Sequence, residues 1–339
     1  MTTKEEVKDL WKHCFDDTQE FVDLYFAQRY KDDINHIVRR DGRVVAALQA
    51  LPYPMTFCGE MISTSYISGA CTHPDYRSQG LMRELLADTH RRMYEQGISL
   101  AMLIPAESSL FDYYARSGYA SVFGYVRHTV KALSLRPSAF YSIADETYRK
   151  EYRFEHYHYL TSALQKRPCC VQHCRNDFWV IMEDLRQSEG KLLAARHAGR
   201  IVGMAFCVQE GNRTVIKELL ADNALIQDSL LDKAAQLYQT EELNCLTPGR
   251  SDSHYLGMAR LIHPEKMLAV FANCYPKLEL HIELTGDETI PANNGYYNIC
   301  QGRCTRDALP DSSYRRCNLQ EFTRLLLEAE HPYMSLMLN

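Results

Sequence analysis

At 339 residues the chain is too long for one ordinary core and long enough for two or three. Hydrophobic residues make up 46% and charged residues 24%, the balance of a soluble globular protein. A net charge of −5 argues against nucleic acid and against an anionic membrane as partners, so an anionic ligand would need a local basic site.

The N-terminus, M-T-T-K-E-E-V-K-D-L, is charged and has no apolar core of a signal peptide, and no apolar run approaches the roughly 20 residues that cross a bilayer. The expected location is cytoplasmic. Val7, Leu10, Trp11 and Cys14 share one helical face, and Phe21, Leu24 and Tyr25 share another; Asp16-Asp17-Thr18 reads as the break and cap between two helices. Next, I-N-H-I-V-R-R, then Asp41-Gly42, then R-V-V-A-A-L-Q-A-L-P-Y predict a hairpin with a primed turn. A second turn at Cys58-Gly59-Glu60 leads to a strand running through Tyr66 to Thr72. A helix is predicted from about Leu81 to Gln96, a buried strand at Ser99–Ile104 and a helix from Ser108 to Arg116 ending at Gly118.

Further on, a helix-rich stretch is predicted at Ile143–Leu164, then a hairpin turning at His197–Gly199, a strand V-I-K-E-L-L-A and a helix S-L-L-D-K-A-A-Q-L-Y. This repeats the order hairpin, strand, helix. After T-P-G at 247–249 come a short helix at Pro264–Phe271, strands around L-E-L-H-I-E-L and Y-Y-N-I-C-Q-G-R-C, a turn at 293–295, a helix L-Q-E-F-T-R-L-L-L and an apolar tail. The expected fold is mixed α/β, with domains at 1–125, 126–250 and 251–339.

Twelve cysteines are scattered along the chain and are expected to be reduced. The densest group, Cys169, Cys170, His173 and Cys174, lacks the second distant ligand pair of a zinc finger, so no metal is expected there.

The stretch H-P-D-Y-R-S-Q-G-L-M at 73–82 carries the chemistry. A helix starting after Gly80 offers unpaired N–H groups and the positive end of its dipole. Gly80 has no Cβ to keep an anion away from the backbone, and Arg77 adds a forked cation. The combination suits a phosphate or pyrophosphate; the plainer alternative is a turn that binds nothing.

The order of R-S-Q-G-L-M (77–82), S-L-A-M-L-I (99–104) and Y-A-R-S-G-Y (114–119) resembles the GNAT N-acetyltransferase superfamily. Met82 stands at the last position of that family's loop motif. Glu107 and Leu110 stand where its later motif has Asn and Ala. The loop-less second copy of the sheet and the small third region are similar to the Eis (enhanced intracellular survival) group: an active GNAT domain, a degenerate one and a sterol-carrier-protein-like domain.

The resemblance implies acetyl-CoA as co-substrate. Main-chain groups of Ala70 and Thr72 would pair with its pantetheine arm. The N–H groups of Arg77, Ser78, Gln79, Gly80 and Leu81 would cradle its pyrophosphate. Tyr114 matches the family's general acid, with Tyr113 as the neighbouring alternative. The base is either the C-terminal carboxylate of Asn339 or Glu107, with His73 a third candidate that also reads as a loop residue. The implied acceptor is an amine: a small molecule such as an aminoglycoside or polyamine, or an exposed Lys or N-terminus. Two other readings stay open, a lipid or ligand carrier and a transferase of longer acyl or aminoacyl groups; so does assembly into a homo-oligomer.

Overall fold

The computed structural model describes residues 1–149, 153–249, 254–310 and 312–337. In chain order the elements are α1 (Thr3–Cys14), α2 (Gln19–Gln28), β1 (Asn35–Arg40), β2 (Arg43–Phe57), β3 (Glu60–Thr72), α3 (Leu81–Glu95), β4 (Leu100–Leu103), α4 (Ser109–Ala115) and β5 (Ala120–Lys131). They continue with β6 (Ser142–Asp145), α5 (Arg153–Leu164), β7 (Cys169–Val171), α6 (Arg175–Gln187), β8 (Lys191–His197), β9 (Arg200–Glu210), β10 (Arg213–Ala221), α7 (Ala224–Tyr238) and β11 (Glu242–Pro248). The last part holds β12 (Tyr255–Leu261), α8 (Pro264–Cys274), β13 (Leu280–Leu284), β14 (Gly295–Cys300), β15 (Arg303–Thr305), β16 (Arg315–Cys317) and α9 (Leu319–Leu327). The fold is mixed α/β.

The elements form two compact units. The first joins Met1–Phe123 to Tyr255–Pro332, and the second holds Gly124–His254 with Tyr333–Asn339.

In the first unit the strand order is β1-β2-β3-β4-β12. The β1–β2 and β2–β3 pairs are antiparallel, as expected from turns at Asp41-Gly42 (φ 49° and 78°) and Cys58-Gly59 (φ 50° and 80°). Both residues of each turn lie in the left-handed region, which makes these primed turns that follow the strand twist. The α1 and α2 helices start from capped ends, Thr2 with Glu5 and Thr18 on Phe21 N–H. They bury Val7, Leu10, Trp11, Val22, Tyr25 and Phe26 on one face of the sheet. The α3 helix buries Leu81, Leu85, Leu86 and Met93 against Val45, Leu48, Ile67 and Leu103 in a separate core that also takes Tyr114. A small sheet, β15-β14-β13-β16, belongs to the same unit.

The second unit repeats the plan in the order β5-β11-β10-β9-β8-β6. The β8–β9 hairpin turns at Ala198-Gly199, β10 pairs antiparallel with β9, and β10 and β11 are parallel partners across α7. The stretch expected as helix from Ile143 is different: Ser142–Asp145 is an edge strand on β8, and the helix begins at Arg153.

Candidate active site

The parallel pairing of β3 with β4 covers only Thr64–Tyr66 against Leu100–Met102, after which β3 runs on to Thr72. On its other side β3 carries a bulge: Ser68 faces Gln49 and Cys71 faces Ala47, so Gly69 and Ala70 share Leu48. Gly69 has φ +58°, and a Cβ there would overlap the Trp11 ring, so only glycine fits the bend. The His73 N–H bonds the Val45 carbonyl at 2.8 Å, which makes 73/45 a bonded pair. Alternation along the strand then turns the Thr72 main-chain groups toward the opposite, open edge. There the Thr72 carbonyl accepts from Arg77 Nε at 3.2 Å and Cys14 Sγ at 3.4 Å.

The loop that follows is tight. His73 caps a one-turn helix at Pro74–Tyr76, its Nδ1 accepting from Asp75 N–H at 3.3 Å, so its ring holds the turn. Gln79 Nε2 donates to the Asp75 carbonyl at 3.4 Å. Ser78 (φ 62°) and Gly80 (φ 81°) both take left-handed backbone. Such conformations turn N–H groups into concavities that suit anions. No side chain caps α3 at Gly80, and a Cβ built there meets nothing nearer than Arg83 Nη2 at 3.6 Å. The helix therefore opens with free N–H groups, a glycine, and exposed Arg77 and Arg83 beside it. Arg83 was not anticipated. A cation in the first turn opposes the helix dipole, and that local conflict was the available signal.

The Cys14 and Cys71 thiols lie side by side under this loop. Donation from Cys71, helped by Arg77, pushes the Cys14 thiol down to about 6, while the same contact and burial push Cys71 up. Neither cysteine stood out in the sequence.

Tyr114 sits on α4, 8% exposed, its ring edge-on to Tyr113 (5.3 Å, 80°) and Tyr119 (5.9 Å, 69°). Burial raises its phenol above the usual range, with Tyr113 and Cys71 adding to the effect, so it carries its proton at neutral pH. Its hydroxyl makes no hydrogen bond among the described residues. Tyr113 is only half-buried. Tyr66, the last β3 residue paired with β4, is buried, which raises its phenol, and it has the Ile104 N–H in reach. Glu107 is exposed and accepts from Ser109 Oγ at 3.4 Å. Asn339 lies outside the described residues.

The cysteine–histidine group in the second unit has other roles. Cys169 and Cys170 lie in β7, His173 Nε2 meets the Ser335 carbonyl at 2.9 Å, and Cys174 Sγ caps α6 on Asp177 N–H. Among the described residues no three His, Cys, Asp or Glu side chains are grouped to hold a metal. No described helix is long and apolar enough to cross a membrane.

A strand that runs on past its parallel partner, an open helix N-terminus and a protonated phenol suit acyl transfer from a nucleotide thioester. Residues 2–122 match the family model described as an acetyltransferase (GNAT) domain. The chain thus carries a GNAT acetyltransferase domain, and its enzyme class is N-acetyltransferase; that family uses acetyl-CoA. No curated protein matches the chain.

Three solved structures share its fold over nearly its full length. A GCN5-related N-acetyltransferase from Anabaena variabilis is 15% identical with TM-score 0.76, covering 97% of this chain and 96% of that one. Eis1 from Mycobacterium abscessus is 11% identical with TM-score 0.75, covering 96% and 88%. A conserved protein of unknown function from Enterococcus faecalis, described as a probable N-acyltransferase, is 17% identical with TM-score 0.75, covering 96% and 87%.

Proposed function

We propose that this chain moves an acetyl group from acetyl-CoA to the amine of a small molecule such as an aminoglycoside or polyamine, or to an exposed Lys or N-terminus. The observation that carries the reading is the uncapped start of α3 behind left-handed Gly80, at the end of the strand that leaves its neighbour. In this reading Ala70 and Thr72 bind the pantetheine arm by their main chains. Arg77, Ser78, Gln79, Gly80 and Leu81 hold the pyrophosphate through their N–H groups, with the Arg77 guanidinium alongside. The amine nitrogen forms a bond to the acetyl carbon, and the carbon–sulfur bond breaks. Tyr114 gives its proton to the departing sulfur. The C-terminal carboxylate of Asn339 takes the proton from the amine, with Glu107 as the alternative base. The small third region as a sterol-carrier-like domain within a three-domain chain, assembly into a homo-oligomer and a cytoplasmic location belong to the same proposal.

The direct test is thermal unfolding with and without acetyl-CoA. A ligand at about 100 times its dissociation constant stabilises by about 2.7 kcal/mol. A clear rise in Tm is expected, and no rise would remove the cofactor from the reading. Extending the chain beyond Asn339 should lower turnover at unchanged Tm; full activity would remove that carboxylate as the base.

A further inference from the structure

We propose that Arg260, outside the stretch that matches the acetyltransferase family, positions Tyr114 by gripping the C-terminal end of α4. The inference rests on the reading of Tyr114 as the general acid.

The α4 helix has seven residues and no side-chain cap at its start. A helix that short does not hold itself, so its direction depends on what holds its ends. Its last carbonyls have no partners further along the helix. Two side chains from the far end of the chain supply some of them. Arg260 Nε donates to the Ser117 carbonyl at 3.0 Å, and Gln320 Nε2 donates to the Ala115 carbonyl at 2.6 Å. Between them the Tyr114 carbonyl accepts from Ser117 N–H at 2.9 Å and Tyr119 N–H at 3.3 Å. Gly118 makes the approach possible: its φ is +87°, and a Cβ there would lie 2.9 Å from Leu319 Cδ2 and 3.1 Å from Arg260 Nε.

Arg260 is itself fixed. It lies in β12, which pairs antiparallel with β4 and sets Arg260 opposite Ala101. The residue is 1% exposed. Nη2 donates to Asp287 Oδ1 at 2.7 Å and Nη1 to the Leu261 carbonyl at 2.8 Å. Asp287 is buried too, and its carboxylate also accepts from Ile290 N–H and Asn293 Nδ2, each at 2.9 Å. Every guanidinium nitrogen thus has a partner, and one of the three is the end of the Tyr114 helix.

A buried ion pair is a poor source of stability, because desolvation offsets most of the attraction and apolar packing serves as well. What it supplies is direction, since a planar guanidinium holds three acceptors in one plane. The charge has a second effect on the same wall of the site. Burial drives the His90 imidazole well below its ordinary pKa, and Arg260 adds to it, so His90 stays neutral. His90 Nε2 pairs with the Tyr119 hydroxyl at 2.9 Å, and the Tyr119 ring packs edge-on against Tyr114.

The test uses Arg260→Lys and Gln320→Ala in the full chain, each also combined with Tyr114→Phe. A lysine keeps the charge near Asp287 but has no guanidinium Nε for Ser117, and Gln320→Ala leaves the ion pair intact. Each is expected to lower kcat about tenfold with the acetyl-CoA Kd within about twofold, and to lower it by less than about twofold in the Tyr114→Phe background, because coupled residues are not additive. Equal losses in both backgrounds would overturn the proposal. With 3-fluorotyrosine at position 114, the fluorine resonance should shift or broaden in both variants; an unmoved resonance overturns the positioning whatever the kinetics show. If Arg260→Lys does not fold, Asp287→Asn, which loosens the anchor of Arg260 without removing it, takes its place under the same criteria. Normal turnover in Tyr114→Phe alone, with a resonance that still moves, overturns the acid reading and leaves the mechanical coupling standing.

Discussion

The two crossovers, β3–α3–β4 and β10–α7–β11, share a sheet geometry and differ in how the helix begins. Each third strand is bulged, each pairs in parallel with the next strand over a few residues, and each then runs on past that pairing, held only by its antiparallel neighbour. In the second unit only Asp222 and Asn223 separate β10 from α7. Asn223 Oδ1 accepts from Ile226 N–H at 3.0 Å, and the Asp222 carboxylate, which accepts from the Tyr159 hydroxyl at 3.0 Å, puts a negative charge at the helix start. Beyond the part of β10 that pairs with β11, buried Glu218 is held by both terminal nitrogens of Arg167 at 2.9 and 2.8 Å, with Ser335 of the tail donating to the same carboxylate. The second unit closes with its own side chains the positions that stay open in the first. The strand pairing is common to both units; the uncapped helix start with cations beside it, which suits an anion, is the difference.

Four changes break or sharpen this contrast. The largest effect is expected from Tyr114→Phe, which should cut turnover about 100-fold or more while acetyl-CoA affinity, read by titration calorimetry, stays put. Next is the buried ion cluster of the second unit, a purely structural use of charge. Burial favours the neutral form of Glu146, but its bonds to Arg196 and His156 outweigh this and hold its pKa at about 2, below the ordinary 4.5. A depressed carboxylate contributes stability in full above its unfolded pKa and loses it as pH falls through the folded one. About 3 kcal/mol should therefore vanish between about pH 4.5 and pH 2, and Glu146→Gln should flatten that slope in acid-unfolding curves. Third, Gly80→Asn crowds the open start of α3 with a side chain and should weaken acetyl-CoA binding about tenfold; Asn tolerates left-handed backbone better than other side chains, so the fall in Tm should be small. The smallest is Asn223→Ala, which should cost about 1 kcal/mol in denaturant unfolding and leave cofactor affinity unchanged.

The joint at 72–81 was readable because its signals are local: a strand pattern, a cation, a glycine and a helix pattern within a few residues. The hairpin turns at Asp41-Gly42 and Ala198-Gly199 were readable for the same reason. The strands β11 and β12 were not, since nothing in Y-L-G-M-A-R-L names β4 as its neighbour across more than 150 residues of chain. Arg260 reads as an exposed charge inside an apolar run and is buried only because Asp287 and two carbonyls wait for it. The pattern before Leu164 predicts helix from Ile143, but Ser142–Asp145 is too short to show its period and is set by pairing with β8. The Cys14–Cys71 contact depends on how the loop folds back on α1, which spacing alone does not reveal.

The open start of α3 can be tested in one titration. Acetyl-CoA is added to the wild-type chain and to Gly80→Asn in a calorimeter, with Tm recorded for both. Binding by the wild type, about tenfold weaker in a variant whose Tm is only slightly lower, is the expected result. Equal affinity in the two proteins, or no heat from either, would contradict it.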